Sequence, residues 1–110
     1  MKSYTDLEQS RKLAEILPPE SADYCWGIDD ETLHYNSSPY PCAWKDYTCK
    51  EYYIPCWSLA ALLKLMPNFN MFKRTIECKI ETINHSIDKA CDLVDAAFEM
   101  VCWLKENNEL

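Results

Sequence analysis

The six prolines of this chain, at positions 18, 19, 39, 41, 55 and 67, limit its fold more than any other feature. Proline lacks a backbone N–H and fixes its own φ, so it is excluded from helix interiors and central strands. The spacing leaves room for short elements only, except after Pro67. Before Pro18-Pro19, "TDLE" at residues 5 to 8 reads as a capping box, with Thr5 as N-cap and Glu8 reaching back. Leu7, Leu13, Ala14, Ile16 and Leu17 supply the apolar stripe of a first helix, which the proline pair ends. Pro39 and Pro41 argue for a loop over "NSSPYP". Pro55 is expected to stop a strand and to open a helix over "CWSLAALLKLM", residues 56 to 66, which Pro67 closes. That segment is apolar nearly all round, the pattern of a buried helix.

Strand signals fill the remaining space. Tyr24 and Trp26 alternate with Asp23 and Cys25, and Gly27, the single glycine, precedes the acidic run Asp29-Asp30-Glu31. We read a hairpin with a second strand over Thr32 to Asn36. "AWKDY" and "KEYYI" read as two further strands around a turn at Thr48 to Lys50. In "KRTIECKIETI", Ile76, Cys78 and Ile80 alternate with Glu77, Lys79 and Glu81, which describes a strand with one buried and one wet face. Residues 84 to 92 fit a loop, a short strand or the first turn of a helix. The last helix runs from Leu93 to Asn107, or starts as early as Ile87, with Asp92 as a suitable N-cap. These elements predict an α+β fold in one domain over residues 1–110: a small antiparallel sheet with about three helices packed on one face, in the rough order α-β-β-β-β-α-β-α.

Charge narrows the function classes. Eighteen acids against eleven bases give a net charge of −7. Nucleic-acid binding draws its affinity from Lys and Arg on phosphates, and the chain has no basic patch, so no nucleic-acid partner is expected. Anionic membrane surfaces are disfavoured for the same reason. No apolar run approaches the ~20 residues a bilayer requires. Lys2 is followed by polar residues and not by a signal sequence, so the expected compartment is the cytoplasm. Its seven cysteines are then free thiols.

Several familiar chemistries lack their residue pattern here. Cys42, Cys49 and Cys56 recur every seven residues. In extended backbone that offset sends neighbours to opposite faces, and structural zinc prefers close C-x₂-C pairs, which are absent. Core thiols are the expected reading, with no metal and no cofactor. His34 and His85 complete no ligand pattern. Asp29-Asp30-Glu31 lacks the spacing of a calcium loop. Asp95 and Glu99 lack the Glu-x-x-His partners of a di-metal site. One glycine cannot build a phosphate-cradling loop. Cys56, placed after Pro55 at a helix start, is the candidate reactive thiol, because a helix N-terminus lowers a thiol's pKa. No other residue is singled out as catalytic.

Nine of the fourteen aromatic residues lie between Tyr24 and Trp57, more than one face of a few strands can hide. Tyr40, Trp44, Tyr47 and Tyr52 are the candidate binding residues there. Trp103, in the broadly apolar "EMVCWL", is another. A protein partner or a second copy of the chain is the expected ligand of such a surface. The expected function is a non-enzymatic protein-interaction module. The alternatives are a small thiol-dependent enzyme using Cys56, or an acidic mimic of nucleic acid.

The runs "YTDLEQSRKLAEILPPESADYCW", "YYIPCWSLAALLKLMP" and "AAFEMVCWLKENNEL" resemble a group of short bacterial proteins that look like mobile-element or prophage cargo. "IPCWSLAALL", residues 54 to 63, is the best marked piece. The resemblance implies a bacterial, cytosolic, accessory protein. It implies no catalytic residue.

Overall fold

In the computed structural model, which describes residues 2–27, 39–41, 53–66, 69–73, 78–82, 85–90 and 92–110, the first helix, α1, spans Leu7–Ile16. It is capped by Asp6, one residue later than the sequence suggests. The Asp6 carboxylate accepts from the Gln9 N–H at 2.8 Å, and the Gln9 side chain accepts from the Asp6 N–H at 3.1 Å. Thr5 has the right chemistry for a cap, but its hydroxyl is fully buried and bonded elsewhere. Leu13 and Leu17 turn inward, while Ala14 stays exposed. The helix stops before Pro18, and Pro19–Ser21 forms a single 3₁₀ turn.

Three strands follow: β1 (Tyr24–Gly27), β2 (Tyr40–Pro41) and β3 (Tyr53–Cys56). They form an antiparallel sheet in the order β2-β1-β3. Pro41 pairs with Tyr24 and Pro55 with Cys25, so neither proline interrupts its strand as expected. Both lie on outer strands of this sheet among the described residues, where a missing donor can face away from the ladder. The expected strands at Thr32 to Asn36 and at "AWKDY" lie outside the described residues.

Because β3 continues through Cys56, the next helix starts late. Helix α2 spans Leu59–Lys64, and its N-cap Ser58 accepts from the Ala61 N–H at 3.2 Å. Ser58 Oγ also donates to Asp23, whose other oxygen accepts from the Ser58 N–H at 2.9 Å. The N-terminal segment runs alongside this junction. Thr5 N–H donates to the Trp57 carbonyl at 2.9 Å, and Leu59 N–H donates to the Ser3 carbonyl at 3.2 Å.

A second antiparallel sheet, in the order β4-β5-β6, holds β4 (Phe69–Lys73), β5 (Cys78–Thr82) and β6 (Ser86–Ala90). β4 was not anticipated, and β6 resolves the open stretch as a strand. Ile80 of β5 is fully buried, while Lys79 and Glu81 on the other face pair at 3.4 Å. The last helix, α3, spans Leu93–Glu106 with the expected N-cap, Asp92, which accepts from the Asp95 N–H at 3.0 Å. Asn108 follows in the left-handed region at φ 55°, which asparagine tolerates.

The chain is therefore α+β, with three α-helices among the described residues and its strands divided between two small antiparallel sheets. Helix α1 packs on β3, and α3 packs on β5, β6 and α2. Leu13, Trp57, Leu62, Ile80, Val94, Met100, Val101 and Leu104 belong to one core that joins both sheets. Among the described residues no helix is long and apolar enough to cross a membrane.

Candidate functional site

A concavity follows from how α1 meets β3. The helix buries Leu13 and Leu17, which leaves Arg11, Ala14 and Glu15 on its outer side. Strand β3 runs beside it, and Tyr53, Ile54 and Pro55 remain half-buried. Between them lies an open groove of about 480 Å³, which Pro19 also lines. Its floor is apolar and aromatic. Its helical wall carries one cation and one anion a single turn apart.

A smaller hollow of about 270 Å³ lies at the N-terminal segment, lined by Lys2, Ser3, Tyr4, Asp6 and Trp26. Its charges are already matched. Lys2 Nζ lies 2.7 Å from Asp95 Oδ1 and 3.1 Å from Asp6 Oδ2, and Gln9 Nε2 donates to the same Asp95 oxygen at 2.9 Å. Burial alone would raise Asp6, but the Gln9 N–H and the Lys2 ammonium outweigh it and hold the carboxyl below its usual range. Burial alone would lower Lys2. Its hydrogen bonds to Asp95 and Asp6 prevail and raise it. This group ties the starts of α1 and α3 together.

Cys56 sits where a nucleophile would not. It ends a strand instead of starting a helix, and it is fully buried. Its thiol donates to the Thr5 carbonyl at 3.3 Å. Thr5 Oγ1 lies 3.6 Å from the sulfur and 2.8 Å from Ser10 Oγ, and accepts from the Trp57 N–H at 3.2 Å. Trp26 Nε1 donates to Ser10 Oγ at 3.2 Å. Burial pushes the Cys56 thiol up to about 11, more than hydrogen bonding to Thr5 and Ser10 lowers it. A thiol in this state is a packing group and not an attacking one. Among the described residues every buried side-chain nitrogen and oxygen has a hydrogen-bond partner, and no three metal-ligating side chains converge.

The candidate aromatic residues do not form one described patch. Tyr40 lies on β2, half-buried against the core. Trp103 lies on α3 and stacks on His85, with centroids 4.1 Å apart. Trp44, Tyr47 and Tyr52 lie outside the described residues, as do Cys42, Cys49 and His34. The charges in the sequence give no sign of the groove, because Arg11 and Glu15 stand four residues apart, the spacing of an ordinary ion pair on the wet face of a helix. The available signal was Ala14, an apolar residue that the burial of Leu13 and Leu17 leaves outside. Comparison of the chain with protein-family models, with curated proteins and with solved structures returned no match.

Proposed function

We propose that this chain is a non-enzymatic protein-interaction module, an accessory bacterial protein of the cytoplasm, and that the α1–β3 groove is its contact surface. The groove carries the reading. It is open, it has an apolar floor with one tyrosine, and it has charged groups on its wall, the composition of a surface built to meet another protein. The resemblance to mobile-element cargo is strongest in "IPCWSLAALL", and Ile54 and Pro55 of that run form part of the floor. The buried state of Cys56 weighs against the thiol-enzyme alternative. The pairing of Asp6 and Asp95 with Lys2 weighs against an acidic mimic, which needs unneutralised acids on one face.

Site-specific photo-crosslinking in bacteria tests the reading. A photoreactive residue at Ala14 should give a discrete protein adduct that Ile54→Asp removes. The same residue at Glu99, exposed on α3, should give none. Absence of an adduct at Ala14, or equal adducts at both positions, would refute it.

A further inference from the structure

We infer that residues 2–5 form a strap that unfolds by itself while α1 and α3 stay folded, and that its release uncovers Cys56 and the main-chain edge from Trp57 to Leu59. The strap lies on that edge as a short antiparallel addition, with Tyr4 bridged to Ser58. Thr5 N–H donates to the Trp57 carbonyl, and the Ser3 carbonyl accepts from the Leu59 N–H. On the inner side the Thr5 carbonyl accepts from the Cys56 thiol, and Thr5 Oγ1 accepts from the Trp57 N–H. The rings of Tyr4 and Trp26 meet edge to face, with centroids 6.2 Å apart. At the far end the Lys2 N–H donates to Asp92 Oδ2 at 3.4 Å, and the Lys2 ammonium pairs with Asp6 and Asp95. None of these contacts involves a residue lining the α1–β3 groove.

Neither helix depends on the strap. Asp6 and Gln9 cap α1 reciprocally, and Leu13 and Leu17 anchor it in the core, so α1 keeps its first turn when residues 2–5 leave. Asp92 caps α3 through the Asp95 N–H, a bond in which the strap takes no part. The strap itself is thinly held. Ser3 is exposed, Lys2 and Tyr4 are half-buried, and only Thr5 of the four is fully covered. The hollow of about 270 Å³ lies against Lys2, Ser3 and Tyr4, so close packing is missing along most of the strap. Its ion pairs are partly exposed, where such pairs hold weakly. Release admits water to Ser10 and to the Trp57 N–H, so no buried polar group is stranded. Local unfolding of a segment with so few buried contacts takes less free energy than unfolding of the whole chain.

Native-state hydrogen exchange of the full chain, followed by NMR from zero urea to just below the unfolding transition, tests this. The amides of Thr5, Trp57 and Leu59 should share one opening and be protected at least about tenfold less than those of the fully buried Met100 and Val101 on α3. Their exchange should barely change with urea, because release of the strap exposes little surface, while exchange at Met100 and Val101 should climb steeply. Alkylation of Cys56, mapped by mass spectrometry over the same urea range, should be as flat as the strap amides. Ile80→Val, in β5, lowers global stability and should speed Met100 and Val101 about three- to tenfold while leaving the three strap amides within twofold. Should that variant fail to fold, the urea series on the parent chain carries the test. Strap amides that follow Met100 and Val101 in urea, or that speed up in step with them in Ile80→Val, overturn the inference. Flat strap amides with Cys56 alkylation that climbs like Met100 overturn the uncovering of the thiol.

Discussion

The imidazole of His85 lies flat on the indole of Trp103, with ring centroids 4.1 Å apart and planes 2° from parallel. Trp103 was a candidate for contact with a partner, and one of its faces is already used within the chain. His85 follows β5, and its carbonyl accepts from the Thr82 N–H at 2.8 Å, so the stack pins the β5–β6 turn to α3. We predict that His85→Ala lowers stability by about 1 kcal/mol, the scale of an aromatic pair. Urea denaturation measures it. The same variant should make one more tryptophan accessible to iodide quenching.

Thr5 holds the second expectation. Its hydroxyl serves the Trp57 N–H and Ser10 in a fully buried site. Thr5→Val keeps the shape and removes the hydroxyl, which strands buried donors at a cost of about 1–3 kcal/mol. Thr5→Ser keeps the hydroxyl and should cost clearly less. Guanidinium unfolding of the two variants compares them, and equal losses would show that the methyl group matters as much as the hydroxyl.

The Lys2–Asp6–Asp95 group sets a pH dependence of known sign. Asp6 is depressed on folding, so its contribution is present above the usual carboxylate value of about 3.9 and is lost as pH falls through the lower folded value. Lys2 is raised, so its contribution is present below about 10.4 and is lost as pH climbs through the higher folded value. Lys2→Met should flatten the alkaline limb of a Tm–pH curve and part of the acid limb. Its cost at neutral pH should not exceed about 1 kcal/mol, because the Lys2 and Asp95 side chains are 36% and 23% exposed. Unchanged limbs would mean that the pairs are not maintained in solution.

Thiol chemistry gives a fourth outcome. With its pKa near 11, Cys56 holds thiolate on the order of one part in ten thousand at pH 7. Cys102 is half-buried, and burial raises it too, partly offset by Lys12. Alkylation mapped by mass spectrometry should therefore modify Cys102 well before Cys56, and Cys56 only on unfolding. Equal native rates would place Cys56 in reach of solvent.

What the sequence made legible was the local chemistry of ends. Asp92 caps α3, and the proline pair stops α1, because these effects depend on one or two residues and little else. The shift from Thr5 to Asp6 has a tertiary cause. Both residues can cap, and Thr5 is withdrawn by Trp57, a residue 52 positions away that only the fold brings near. Pro55 stands within β3 for a similar reason: proline is tolerated on an outer strand, and which strand is outer is a property of the sheet. "FNMFK" has no strict alternation, and it becomes β4 by pairing with the well-patterned β5. The groove was illegible because it belongs to neither α1 nor β3 alone.

The tie between Lys2 and Asp95 spans 93 positions of the sequence. A ribosome releases the lysine long before it makes the aspartate. During translation the Lys2 ammonium therefore waits in water for its Asp95 partner, which comes only with α3. Closing this tie is thus a late event in biogenesis, whereas the contacts of Thr5 with Cys56 and Trp57 need only the chain as far as Trp57.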